Sequence, residues 1–229
     1  MPNPSHLLID TDSLIQVFIA RQGDLLAKLR LRCGVIPAVV PEVEGEVRYN
    51  QRFKTRFESK FLATVASRNL VVLEEPEVRK LLLARGVPPS AIDVQLRALD
   101  QRCQEYHAHV QEGEAYTHGT AVTLGLPAMS NDGAAISTLL TQGKLVACPT
   151  LRFFDLLVFA RQRGWIDDAT GETARCHLND EGEHLPPPFR AKASFAGAWG
   201  SFHIRLSSDA KHEGLIPASA RDTLFLQIT

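Results

Sequence analysis

Asp10 and Asp12 stand one residue apart at the end of the apolar run Leu7-Leu8-Ile9, within Leu7-Leu8-Ile9-Asp10-Thr11-Asp12-Ser13-Leu14-Ile15. The same pattern, an apolar strand closed by a carboxylate, returns in Leu126-Pro127-Ala128-Met129-Ser130-Asn131-Asp132-Gly133. A carboxylate at the carboxyl end of a buried parallel strand lies where α/β sheets bind their ligands. Two of them, distant in sequence, meet at one cation if their strands are neighbours. Hard divalent ions such as Mg²⁺ need only one or two direct carboxylates and keep several waters. Carboxylates crowded without a cation repel one another, so their convergence itself points to a bound metal.

The elements that must carry these residues alternate between strand and helix. Val35 to Val40, Leu70 to Leu73, a segment near Ala128 and Leu145 to Cys148 read as strands after the first. Helical apolar spacing over Ser13 to Leu31 is punctuated by Gly23. Pro41 opens a helix that reads as continuous through Phe61. Helices are also expected over Glu77 to Ala84, from Ser90 to about Val110, from Gly113 to Leu124, over Gly133 to Leu140 and over Leu151 to Arg163. This alternation implies right-handed crossovers and a mostly parallel sheet, an α/β fold.

On the third of these helices two stripes run side by side at i, i+4 spacing. Tyr49, Phe53, Phe57 and Phe61 read as a core face, and Arg48, Arg52, Arg56 and Lys60 as a candidate phosphate-contact face. With a formal net charge of -1, no global field draws nucleic acid to the chain, so any such contact must be local. The length of 229 residues suits one α/β domain with an appendage, and 45% hydrophobic and 22% charged residues are ordinary for a globular protein. Cys33, Cys103, Cys148 and Cys176 form no C-x-x-C pair, which argues against a zinc site or a disulfide framework and suits a reducing compartment. No leader or spanning segment is legible, so the expectation is a cytoplasmic protein away from membranes.

The stretches LLIDTDSLI, VVPEVEGEV, EGEAYTHGTAVTLGLPAMSNDGAA and CPTLRFFDLLVFARQRGWI together resemble the PIN-domain family of metal-dependent ribonucleases, which includes the VapC-type toxins. The resemblance covers about residues 6 to 167. It implies a three-layer α/β/α domain over residues 1–168 with strand order 3-2-1-4-5, leaving 169–229 as a C-terminal extension of unassigned role. On it, the family's four acids fall on Asp10, Glu46, Glu114 and Asp132, as catalytic residues and ligands of Mg²⁺ or Mn²⁺. Asp10 and Asp132 are expected to bind directly, and Glu46 and Glu114 to hold metal-bound waters or a second ion; Glu42 and Glu44 compete with Glu46 for its role. Asp12 would stand behind the ligands, and Ser130 and Asn131 would orient a carboxylate or a phosphate oxygen, Asn131 standing where relatives often carry another acid. His118, one turn after Glu114, is a further candidate contact.

The implied activity is endoribonuclease cleavage of single-stranded or structured RNA, with the toxin of a toxin–antitoxin pair as one form of it. A homodimer and an antitoxin partner follow from the resemblance alone. Two rivals stand beside it. Asp10-Thr11-Asp12 also suits the opening of haloacid-dehalogenase-type phosphatases, with Asp10 as nucleophile, Asp12 as acid–base and Lys144 as the required lysine. That reading leaves Glu46 and Glu114 unexplained. The other rival is a PIN-like scaffold that binds RNA or protein without cutting.

Overall fold

The computed structural model of the chain describes residues 6–135, 138, 150–186, 189–190 and 194–199. Five strands, β1 (His6–Ile9), β2 (Ile36–Val39), β3 (Val71–Val72), β4 (Ala128–Met129) and β5 (Thr150–Leu151), form one sheet in the order β3-β2-β1-β4-β5. All four pairings are parallel. This is the α/β class and the strand order expected. β1 at the centre is buried at every position, as a strand covered on both faces must be. The expected fifth strand, Leu145 to Cys148, lies outside the described residues; the segment that pairs with β4 is Thr150–Leu151.

Between the strands run α1 (Thr11–Ile19), α2 (Gly23–Cys33), α3 (Pro41–Tyr49), α4 (Gln51–Ala66), α5 (Glu75–Ala84), α6 (Ile92–His107) and α7 (Glu112–Leu124). Gly23 opens α2, so the break it signals in the sequence is real. Ser90 does not cap α6; it lies in a short 3-10 turn, Pro89–Ala91, before that helix. The helix at Gly133 is described only in part, over 133–135 and at 138.

The helix expected to run unbroken from Pro41 to Phe61 is two helices. Asn50 takes an extended conformation (φ -70, ψ 122) and its side chain accepts the Arg52 N–H at 2.9 Å, ending α3 and capping α4. Asparagine is a strong N-cap because its short amide satisfies an orphan backbone donor that the helix cannot. The break also divides the aromatic stripe: Phe57 and Phe61 are buried and Phe53 is partly so, but Tyr49, beyond the kink, is 67% exposed. A core face therefore starts at Phe53.

After β5 come α8 (Phe153–Gln162), α9 (Asp168–Asp180) and the short α10 (Phe195–Trp199). Ala174, Leu178, Leu185, Phe189, Phe195 and Ala198 join the same hydrophobic core as the sheet. Phe189 stacks between Phe154 at 4.7 Å and Phe195 at 5.6 Å, and Gln16 of α1 donates to Glu183 at 3.0 Å. Leu185 is buried within the Pro-rich stretch His184-Leu185-Pro186-Pro187-Pro188, whose sequence alone suggests an extended linker and whose residues 187–188 lie outside the described set. The apolar runs Phe202 to Leu206 and Thr223 to Leu226 also lie outside it, as does Lys144. Among the described residues no helix is long and apolar enough to cross a membrane.

Candidate active site

β1 and β4 are adjacent with Ile9 opposite Met129. The next residue on each strand is therefore Asp10 and Ser130, side by side where the order of the sheet reverses. Asp10 N–H donates to Met129 O at 3.0 Å and Ser130 N–H to Leu151 O at 2.8 Å, so the ladder holds both residues in place. Such a switch point opens a crevice at the carboxyl ends of the strands.

Asp10 is fully buried. Its Oδ1 accepts the Ser13 N–H at 2.7 Å, capping α1. Oδ2 and the Ser130 hydroxyl are both buried without a hydrogen bond of acceptable geometry, although Ser130 lies near enough to favour the ionised carboxylate. Burial dominates and pushes Asp10 up to about 7, with the charge of Asp12 adding to the rise. A buried carboxylate oxygen with no donor is costly unless a proton or a cation meets it.

Three further acids feel one another there. Glu114, in the first turn of α7, is pushed up to about 8, first by desolvation and then by the charges of Asp10, Asp132 and Asp12. Asp12, exposed in the first turn of α1, is raised by desolvation and by Asp132, and lowered by Arg52. Asp132 sits after β4, where its Oδ1 accepts the N–H groups of Ala134 at 2.8 Å and Ala135 at 3.0 Å. It caps the helical turn at 133–135 while its charge reaches Glu114, Asp12 and His118. Asp12 thus stands electrostatically with Asp10, Glu114 and Asp132, a closer place than the supporting one the resemblance implied for it.

Glu46 is set differently. Its carboxylate accepts the Thr11 hydroxyl on Oε2 and the Gly113 N–H at 3.1 Å on Oε1. It fastens α3 to the first turns of α1 and α7, and Gly113 presents one of the orphan donors at the start of α7. A Cβ on Gly113 would lie 2.8 and 2.9 Å from the two Glu46 oxygens and 2.9 Å from Thr11 Oγ1, so only glycine admits this approach. Glu44 is engaged by Arg48 at 2.8 Å, while Glu42 lies under the charges of Glu112 and Asp100. Neither takes the place of Glu46 beside Thr11.

Asn131 is a brace. Its amide donates to Ser13 Oγ at 2.9 Å and Gln16 Oε1 at 3.0 Å, and its carbonyl accepts the Phe153 N–H at 3.0 Å. It ties β4 to α1 and α8 with those groups already used, so orienting a phosphate oxygen is not available to them. His118 is fully buried, and desolvation lowers it to about 4, with Asp132 opposing. It is a neutral core imidazole, not a substrate contact.

The basic stripe is split by the kink at Asn50. Arg48 pairs with Glu44 and reaches Glu58 at 3.9 Å. Arg56 pairs with Glu181 of the chain after α9 at 2.7 Å, and Lys60 donates to Phe18 O at 3.2 Å. Arg52 makes no ion pair among the described residues, lies over the Phe53 ring at 5.2 Å and lowers Asp12. Among the described residues no three His, Cys, Asp or Glu side chains converge tightly enough to ligate one ion together. An ion held here would rest on one or two carboxylates and fill its shell with water, which is how Mg²⁺ is usually bound.

Thr11, Gly113 and the bracing role of Asn131 were not legible as site features. Thr11 stands between two acids, and nothing in a lone hydroxyl signals a partner 35 positions away. No family model, curated protein or solved structure matches the chain.

Proposed function

We propose that the protein is a metal-dependent nuclease that hydrolyses phosphodiester bonds, with RNA as its substrate and the cytoplasm as its compartment. The observation that carries this reading is the fully buried Asp10, raised by desolvation and by the charge of Asp12 with the Ser13 and Ser130 hydroxyls opposing, while the charges of Asp10, Asp12 and Asp132 together raise Glu114. A bound Mg²⁺ or Mn²⁺ would offset this charge and act as a Lewis acid on a phosphodiester.

The chain's own residues have separable tasks. Asp10 Oδ2 and Asp132 Oδ2 would hold the ion, leaving each Oδ1 on its helix cap. Glu114 and Asp12 at the mouth accept hydrogen bonds from water and orient it. Glu46, through Thr11 and Gly113, fixes the starts of α1 and α7 and so the spacing of the acids they carry. Arg52 supplies positive charge beside Asp12 for a phosphate of the bound strand. The preference for RNA over DNA rests on the sequence resemblance, as do a dimer and an antitoxin.

The test is cleavage of labelled RNA and single-stranded DNA by the purified protein with Mg²⁺, Mn²⁺ or EDTA, beside the Asp10→Asn/Asp132→Asn double variant. Metal-dependent cutting that vanishes in the folded variant is the expected result. No cutting with either metal, from folded protein free of bound inhibitor, would overturn the proposal and turn attention to phosphatase or binding functions.

Gly113→Ala gives a second, independent outcome. The methyl displaces the Glu46 carboxylate, the flexible end of a side chain, and also presses on Thr11 Oγ1, so the contact between them is broken at a modest strain. Alanine also gains about 1 kcal/mol of helix propensity over glycine. Denaturant unfolding should therefore show stability within about 1 kcal/mol of the parent, while cleavage falls about tenfold or more, as when a ligand's supporting contact is lost. A parent-like rate would remove Glu46 from the positioning machinery.

A further inference from the structure

A second concave feature lies at the far end of α1. Ile19 and Arg21 from its C-terminal end, Arg56, Phe57 and Lys60 from α4, and His177, Asp180 and Glu181 from α9 and its end enclose about 430 Å³. Three cations and an imidazole face two carboxylates there.

Two observations mark it as more than a surface hollow. Arg21 holds φ +58, left-handed backbone that a residue with a Cβ seldom adopts, where glycine would be unstrained. The turn is closed by Arg21 N–H to Phe18 O at 3.2 Å and Gln22 N–H to Val17 O at 3.0 Å, both backbone bonds that glycine would also make. Glycine would close this turn equally well, and arginine places a cationic side chain at the cleft. Independently, His177 Nδ1 is buried with no hydrogen-bond partner. A buried polar atom without a partner calls for a water, an ion or a ligand that satisfies it once the ring turns.

The cleft and the carboxylate site lie along the same pair of helices, α1 and α4. Arg52 influences Asp12 at the start of α1, while Lys60, two turns along α4, bonds Phe18 O near its end, so the two helices run in the same direction. Arg52, Arg56 and Lys60 therefore track α1 from the acids to the cleft. A step of four helical residues advances about 6 Å, close to the spacing of successive phosphates in an extended single strand. The Arg56–Glu181 pair is half-exposed on both sides, and such pairs are weak enough to exchange for a phosphate.

We infer that the cleft of Arg21, Arg56, Lys60 and His177 is a phosphate-binding subsite that holds the backbone of single-stranded RNA two to three nucleotides from the carboxylate site. This rests on the nuclease reading for the direction of the strand, but not for its own test. Phosphate contacts of this kind are independent of base sequence and sensitive to salt.

The experiment is fluorescence anisotropy in EDTA, where nothing is cut, with labelled RNAs of four and twelve nucleotides and the full chain. Arg21→Gly and Arg21→Gly/Lys60→Gln are compared with the parent, with melting temperature as a control for folding. Arg21→Gly relieves the backbone, so it should melt higher than the parent and still bind the twelve-mer more weakly. The double variant should lose about tenfold for the twelve-mer and should weaken the four-mer as well, since in EDTA the cleft is the cationic site left to hold it. Its salt slope should fall by about 1.4, two contacts at about 0.7 each. Unchanged binding of both RNAs by folded variants would overturn the subsite. So would titration of inorganic phosphate or a mononucleotide showing a site in this cleft that RNA does not compete for. Cleft-dependent binding without metal-dependent cleavage would retain the subsite and sink the nuclease reading; the reverse pattern would do the opposite.

Discussion

Asp10→Asn should abolish metal-dependent cleavage and, in the same preparation, make the metal-free protein more stable above neutral pH. The activity loss should be at least a hundredfold, because loss of a supporting contact around a metal already costs about 10- to 100-fold and Asp10 is proposed as a direct ligand. The stability gain follows from linkage. Asp10 rises from 3.8 to about 7 in the fold because burial disfavours its charge. Between those values the native state holds a proton that the unfolded chain has released, so stability falls as pH rises through this window, and the loss is complete above about 7. Glu114, raised from 4.5 to about 8, extends the same slope upward. For Asp10 the shift corresponds to roughly 4 kcal/mol at most, and relaxation around the carboxylate would reduce what is measured.

Asparagine keeps the shape and can keep the acceptor for Ser13 N–H without the charge. Urea unfolding in EDTA at pH 5 and pH 8 is the measurement. The parent should lose stability between the two, and Asp10→Asn should lose distinctly less. Mn²⁺ or Mg²⁺ at pH 8 should restore the parent and leave Asp10→Asn unchanged, since binding to the native state alone stabilises it. A parent with flat stability from pH 5 to 8 and no response to either ion would remove the physical basis for a cation at Asp10.

The largest stability loss is expected at Gly119. A Cβ there would lie 2.6 Å from Cys103 Sγ, 3.2 Å from its Cα and 3.3 Å from its N, where α6 and α7 cross. Backbone cannot swing aside as the Glu46 carboxylate can. Gly119→Ala should cost about 1 to 3 kcal/mol by overpacking, less the roughly 1 kcal/mol of helix propensity that alanine recovers. Gly119→Val should cost more, because its branches press further into α6. Cys103→Ala in the Gly119→Ala background should recover part of the loss, by removing the sulfur clash and leaving the backbone one. Calorimetry or urea unfolding of the four proteins decides it; Gly119→Val as stable as the parent would show that α6 stands further from α7. Since α7 carries Glu114, any shift of α6 and α7 should also reach the carboxylate site.

The contrast between Gly113 and Gly119 shows how little of a tight contact is written locally. Both read in the sequence only as small residues on one helix. Gly113 meets a side chain from α3 and Gly119 the backbone of α6, and neither partner is near in sequence. The kink at Asn50 is the intermediate case: asparagine is a ready cap, but the helical pattern continues through it, and only the folded chain shows the cap formed.

What the residue pattern by itself determined is the class of the framework and the place of Asp10 at the end of the first strand, while the strand order and the assignment of Glu114 and Asp132 followed from the family resemblance. Apolar runs alternating with helical spacing admit a parallel sheet, and a strand that ends in a carboxylate sets that group at the sheet's carboxyl edge wherever the strand lies. Those signals are local, carried by adjacent residues. The tertiary structure alone decided that Glu46 locks onto Thr11 and Gly113, that Asp12 joins the main acids, that Asn131 is consumed as a brace and that His118 is sealed in the core. It also placed α9 against α1 and α4, creating a cationic cleft from residues 19 to 181. These outcomes depend on which distant groups meet and how much water remains between them, and desolvation and hydrogen-bond partners are properties of the folded neighbourhood.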